Sequence, residues 1–189
     1  MKTMVVATLA LLAVTSCGGG GGGGSGGSAV GGSVSTGDGD VGLAYSNGHP
    51  ITVRTTEPTI LANEAEVIRL VNDRRVAIGK NALVDDSAIR EVARGHSYHM
   101  IVHSFFAHTN PEGDSPGGRL SRAGIGWSMA GENIAAGYPS AQSAYDAWMN
   151  SPGHKANIER DGWLRTGVGY QYDGNSTYRW YWTQNFTKP

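Results

Sequence analysis

Cysteine is nearly absent: Cys17 is the only one in 189 residues. No disulfide can form within the chain, so the stability of any exported domain has to come from a packed core. Charge of one sign is missing too. Fifteen Lys and Arg stand against sixteen Asp and Glu, a formal net charge of -1, and no strongly basic block occurs, which argues against a nucleic-acid surface. Long hydrophobic runs are also lacking. The stretch from Met4 to Val14, interrupted by Thr8, falls well short of the roughly 20 apolar residues that cross a bilayer. With Lys2 ahead of it, that stretch reads as the core of an export signal over residues 1–16.

The residues at the end of the signal carry more information. Val14-Thr15-Ser16-Cys17 resembles the lipobox of bacterial lipoproteins, which implies cleavage before Cys17, lipid on its thiol and new amino group, and attachment to the membrane through that lipid. Gly18 rather than Asp at the next position suits outer-membrane sorting in a cell with two membranes. Glycine then dominates to about Gly42 without apolar periodicity, and such a stretch cannot bury enough surface to offset its backbone entropy. Residues 17–59 are therefore expected to be a flexible linker, with 43–59 a turn-rich linker or loosely docked arm. About 25 residues of such coil reach on the order of 25 to 30 Å.

Residues 60–189 carry enough apolar periodicity for one domain, expected to be monomeric. A first helix is predicted near Ile60, with Asn63 and Glu66 as a starting pair and Val67, Leu70, Val71 and Ile78 at helical spacing, stopped by Gly79. A second begins at Asp86 or Ser87, with Ile89, Val92, Ala93, His96, Met100 and His103 on one stripe. A long loop is expected from about Thr109 to Pro139. Ser140 opens a third helix through Ala144 and Trp148, ended by Asn150-Ser151-Pro152-Gly153. From Leu164 the period becomes two, and the Asp173-Gly174-Asn175-Ser176 turn reverses the chain into a strand from Tyr178 to Phe186. Helices first and an antiparallel hairpin last make the domain α+β.

Five strings occur in order: Val71-Asn72-Asp73-Arg74-Arg75; Phe105-Phe106-Ala107-His108; Gly131-Glu132-Asn133-Ile134-Ala135; Ala147-Trp148-Met149-Asn150-Ser151-Pro152-Gly153-His154; and Gly167-Val168-Gly169 with Trp182-Thr183-Gln184-Asn185-Phe186. Together they resemble the short bacterial branch of the CAP superfamily (cysteine-rich secretory protein, antigen 5, pathogenesis-related 1; the SCP domain) from about Ile60 to Phe186. The resemblance implies a three-layer α-β-α sandwich around a small, mainly antiparallel sheet. It also implies a shallow cleft with two histidines and acidic groups, here His108, Glu132 and His154. In the larger eukaryotic relatives a second glutamate follows the tryptophan of the third helix by three residues. Here that position is Ser151, so one carboxylate is missing.

Two imidazoles and a carboxylate suit a divalent transition ion such as Zn2+, with His108 and His154 as ligands; two histidines alone bind weakly. The alternative is that each histidine hydrogen-bonds a loop and packs on aromatics. Ser151 with His154 and Glu132 would make a nucleophile, base and orienter, yet no Gly-x-Ser-x-Gly elbow occurs, and Ser151 also explains itself as a helix cap. His96, His99 and His103 fall on neighbouring turns, but His96 and His103 share the apolar stripe, so packing is favoured over ligation. Of the aromatic residues Tyr170, Tyr172, Tyr178, Trp180, Tyr181 and Trp182, alternation puts half in the core and leaves half for a ligand surface.

Three functions are compatible with these residues. The leading one is a non-enzymatic envelope module whose cleft binds an apolar molecule, a glycan or a protein. The second is a metal-assisted hydrolase, peptidase-like, with Glu132 as candidate general base; its weakness is ligand count, since one Glu cannot easily be both third ligand and base. The third is a structural envelope protein with a vestigial cleft.

Overall fold

In the computed structural model the described residues are 32–33, 42–46 and 49–189, with side chains from Thr52 onward. The segment 1–16 expected to be an export signal, Cys17 and most of the glycine-rich stretch lie outside them. Three short strands come first: β1 (Gly32–Ser33), β2 (Gly42–Ser46) and β3 (His49–Val53), paired antiparallel in that order. β3 is packed against the second helix, and Val53 is buried there. Within the segment expected to be a turn-rich linker or loosely docked arm, residues 42–46 and 49–53 thus form strand, and the second of these strands is docked on that helix. Its anchor is Arg94, whose guanidinium donates to the Val53 carbonyl at 3.3 Å.

Helix α1 (Pro58–Ala77) starts earlier than the sequence suggested. Glu57 caps it by accepting from Thr59 N at 3.2 Å, and Pro58 takes the first helical position, where its missing N–H costs nothing. Asn63 and Glu66 thus lie inside the helix, and Glu66 pairs with Arg69 on the exposed face. The buried stripe is Glu64, Val67, Ile68, Val71 and Arg75. Gly79, at φ +76°, turns the chain away as expected.

After β4 (Val84–Asp85), Asp86 caps α2 (Ser87–Val102) through its carboxylate. The region expected to be a loop, 109–139, contains two more elements: α3 (Pro116–Arg122) and β5 (Met129–Ala136). Ser115 caps α3 with Pro116 at its first position, a start signal outweighed by the surrounding Gly and Ser. Then come α4 (Ala141–Met149), capped by Ser140, α5 (Pro152–Ile158), and the hairpin of β6 (Arg165–Tyr172) and β7 (Trp180–Lys188).

The main sheet has the order β4-β6-β7-β5, antiparallel except where β4 runs parallel to β6. Strand alternation assigns its two faces. Val168, Tyr170, Trp182 and Phe186 join Val67, Val71, Ala144, Trp148 and Ile158 in a core under α1, α4 and α5. The opposite face carries Gly167 and Gly169, which let α2 lie almost on the backbone of β6. There Ser97 bonds the Gly169 carbonyl at 3.0 Å and Thr183 at 2.9 Å. Helices on both faces of a small, mainly antiparallel sheet make the α+β class read from the periodicity and the three-layer arrangement that the family resemblance implied. Glu64 ties the layers: fully buried, it takes both Arg94 Nε and Nη2 at 2.6 Å and the Tyr170 amide at 3.1 Å.

Candidate functional site

β5 is an edge strand, and its alternation explains the Gly131-Glu132-Asn133 string. Gly131 leaves room for the Trp163 ring, which an added β-carbon would meet at 2.8 Å. Glu132 points to the side of α2 and α3, Asn133 to the side of α5. Asn133 donates to the His154 carbonyl at 3.2 Å and accepts from Asn157 at 3.1 Å; Asn157 also donates to the Glu132 carbonyl at 3.2 Å. One edge strand thus carries the carboxylate on one face and pins the helix bearing His154 on the other.

Glu132 is buried, and both of its oxygens are engaged. Oε1 accepts from His108 Nδ1 at 2.8 Å, and Oε2 accepts from Arg119 Nη2 at 2.5 Å. His96 Nε2 lies 3.9 Å from Oε1, but its hydrogen bond is to the Ala107 carbonyl at 2.9 Å. Burial alone would raise the carboxyl pKa. The charge of Arg119 first, then the rings of His96 and His108 once protonated and the hydrogen bond from His108, outweigh it and hold Glu132 down at about 2. The same surroundings keep His96 neutral: burial first, then Arg119, bring it down to about 3.

His108 follows α2 and the Phe105-Phe106 pair; its side chain is 19% exposed. In the neutral ring, Nδ1–H given to Glu132 leaves Nε2 as the bare nitrogen, the arrangement that orients a histidine for a ligand. His154, on α5, is half-buried, and its pKa is lowered by burial and then by the charge of His108. Ser151 occupies the N-cap position of α5 but makes no capping bond; its Oγ is buried and has no hydrogen-bond partner among the described residues. The geometry thus joins His108 and Glu132 directly, brings His154 within electrostatic range, and leaves Ser151 unbonded to His154. No three His, Cys, Asp or Glu side chains converge as a metal site among the described residues. The donors that could take a divalent ion are the two imidazoles of His108 and His154.

The histidines of α2 divide differently from the expected stripe. His96 and His99 are each 1% exposed, whereas His103 is exposed. The helix ends at Val102, so His103 sits at its C-cap, its ring edge-to-face with that of His99 and the centroids 4.6 Å apart. His99 Nε2 lies 3.5 Å from Glu112. Among the hairpin aromatics, Tyr170, Tyr181 and Trp182 are core, while Tyr172 and Tyr178 are exposed and Trp180 is half-buried. Arg119 is out of reach of sequence reasoning because it lies in the stretch expected to be loop.

Comparison with known proteins decides the family. The model of the cysteine-rich secretory protein family, CAP, matches residues 68–186. The chain belongs to the CAP family. Two Bacillus subtilis proteins are each 34% identical to this CAP chain. One, the uncharacterized protein YkwD, aligns over 135 residues, 71% of this chain and 51% of its own. The other, the uncharacterized membrane protein YlbC, aligns over 126 residues, 67% and 34% respectively. This chain thus spans about half and a third of the lengths of those relatives. Among solved structures, an extracellular protein containing a SCP domain from Bacillus anthracis superposes with TM-score 0.62 at 26% identity, over 83% of this chain and 59% of the other. A cysteine-rich secretory protein from Staphylococcus aureus gives 0.56 at 16% identity, over 77% and 46%, a likeness of fold alone. None of the described helices is long and apolar enough to cross a membrane.

Proposed function

We propose that this CAP protein is a non-enzymatic binding module of the cell envelope, with His108, Glu132 and His154 forming its ligand cleft. The observation that carries the reading is the state of Glu132. A general base must accept a proton near neutral pH, but this carboxylate is buried, bonded on both oxygens and held at about 2. It orients His108 rather than reacting. Ser151 supplies no second carboxylate and no hydroxyl activated by His154. What the cleft offers a ligand is a pair of imidazoles, which also suits weak, exchangeable binding of a divalent ion such as Zn2+. The occupant is an apolar molecule, a glycan or a protein. Hydrolysis with Glu132 as base, and a purely structural domain, are the readings this one competes with.

Export and lipid attachment at Cys17 belong to the same proposal. Their support is the signal-like residues 1–16, the lipobox-like residues before Cys17, and a structural relative described as extracellular. Attachment to an outer membrane follows where the cell has one. The test is calorimetric titration of the protein with zinc, beside the His108→Ala/His154→Ala double variant, followed by envelope glycans and lipids. Binding lost in the double variant is expected. Equal heats for both proteins with every ligand would sink the cleft reading, and turnover of a peptide substrate that needs Glu132 would favour the hydrolase.

A further inference from the structure

We infer that Arg119 is the positioning residue of the cleft: by holding one oxygen of Glu132 and the main chain of His108, it fixes which end of the Glu132 side chain faces the His108 ring and receives its Nδ1–H. The inference rests on the cleft reading above for its meaning, though not for its test.

The geometry closes a ring. Arg119 is buried on α3, 3% exposed. Its Nη1 donates to the His108 carbonyl at 2.7 Å and to the Asp114 carbonyl at 2.9 Å, while Nη2 donates to Glu132 Oε2 at 2.5 Å. Glu132 Oε1 then accepts from His108 Nδ1 at 2.8 Å. One guanidinium therefore fixes the backbone of His108 and, through Glu132, its ring. A planar fork holds its donors on separate nitrogens in fixed directions, so serving these three acceptors also sets its orientation, whereas the three donors of an ammonium radiate from one freely rotating nitrogen. The other nitrogen donor near the carboxylate, on His96, is not equivalent, because its Nε2–H is committed to the Ala107 carbonyl. Among the described residues, the acceptor left for His108 Nδ1–H is the oxygen that Arg119 does not hold.

A purely structural clamp would stabilise the loop without caring about the tautomer, and an isosteric change separates the two roles. In Glu132→Gln the side chain keeps its shape but has one acceptor and one donor end. If Arg119 is in control, its guanidinium takes the amide oxygen, the NH2 group faces His108, and Nδ1 must become the acceptor. The proton then moves to Nε2. Long-range 1H–15N correlation spectra of the full chain, taken where His108 is neutral, read this directly. The expected result is Nδ1–H in the wild type and Nε2–H in Glu132→Gln, with Arg119→Lys retaining Nδ1–H at a lower melting temperature. Nδ1–H persisting in Glu132→Gln would overturn the inference, since the amide would then have turned its oxygen to His108 against Arg119. This readout needs no ligand. A cleft that binds nothing would sink the proposed function while leaving the tautomer result standing, and the reverse holds equally.

Discussion

Replacing Gly169 with alanine should be among the most damaging small changes in the domain. A β-carbon there would lie 2.0 Å from the Arg94 amide nitrogen and 2.2 Å from the Ala93 carbonyl carbon. Both are backbone atoms, so no side chain can swing aside; α2 has to lift by roughly 1 Å or more to restore ordinary contact. That movement strains what α2 makes at the same point: the Ser97 bonds to the sheet at Gly169 and Thr183, and the buried pairing of Arg94 with Glu64 of α1. Overpacking of this kind costs about 1–3 kcal/mol, and a disturbed buried ion pair adds a comparable amount. A loss of about 3–5 kcal/mol is expected, from a total of about 5–15 kcal/mol for a domain. Urea unfolding followed by tryptophan fluorescence measures it as a shift of midpoint at constant slope. Gly126→Ala is the control, because a β-carbon there meets nothing within 4 Å. A Gly169→Ala protein within about 1 kcal/mol of wild type would refute the claim that α2 is pressed onto β6.

Other expectations concern the site and the tether. The His96 pKa lies near 3 in the fold against 6.5 unfolded, so the unfolded chain takes up the proton first. Stability should fall as pH drops from about 6.5 toward 3, by about 1.4 kcal/mol per pH unit from this group; urea midpoints of His96→Gln should show a shallower slope, and an unchanged slope contradicts the assignment. Glu132, with its pKa lowered, adds a second loss, below about 4.5 and complete only beneath about 2, which Glu132→Gln removes from the acid limb of the same titration. Arg119→Met strands the Glu132 charge in the interior and should cost about 3–5 kcal/mol by chemical denaturation; Arg119→Lys should cost clearly less. Metabolic labelling with a radioactive fatty acid should mark the wild-type chain and not Cys17→Ser.

Much of the fold is legible in the sequence because its signals are local. Asp86 and Ser140 announce their helices as caps, and the Asp173–Ser176 turn between alternating strands announces the hairpin. The illegible parts depend on contacts from afar. β5 is hidden because Gly131 and its small neighbours look like loop until Trp163 and Asn157 fill the space over them. α3 is hidden because Gly117 and Gly118 depress helix propensity, although Trp127 packs into the gap that Gly117 leaves. The site divides in the same way. His108, Glu132 and His154 lie in short strings that resemble the family's, while Arg119, which decides how Glu132 behaves, sits in the segment that offers no periodicity. His103 falls off the buried stripe because helical spacing says nothing of where the helix stops.

The proposed function depends on Glu132 being a fixed orienting anion and not a reacting group. Carboxyl 13C NMR of the selectively labelled protein, titrated across the folded range and compared with Glu132→Gln for assignment, tests it most directly. The expected Glu132 signal stays ionised down to the acid limit of the fold, with an apparent pKa near 2. A signal titrating between about pH 5 and 8, where a general base or acid must work, would contradict the claim and return the cleft to the hydrolases.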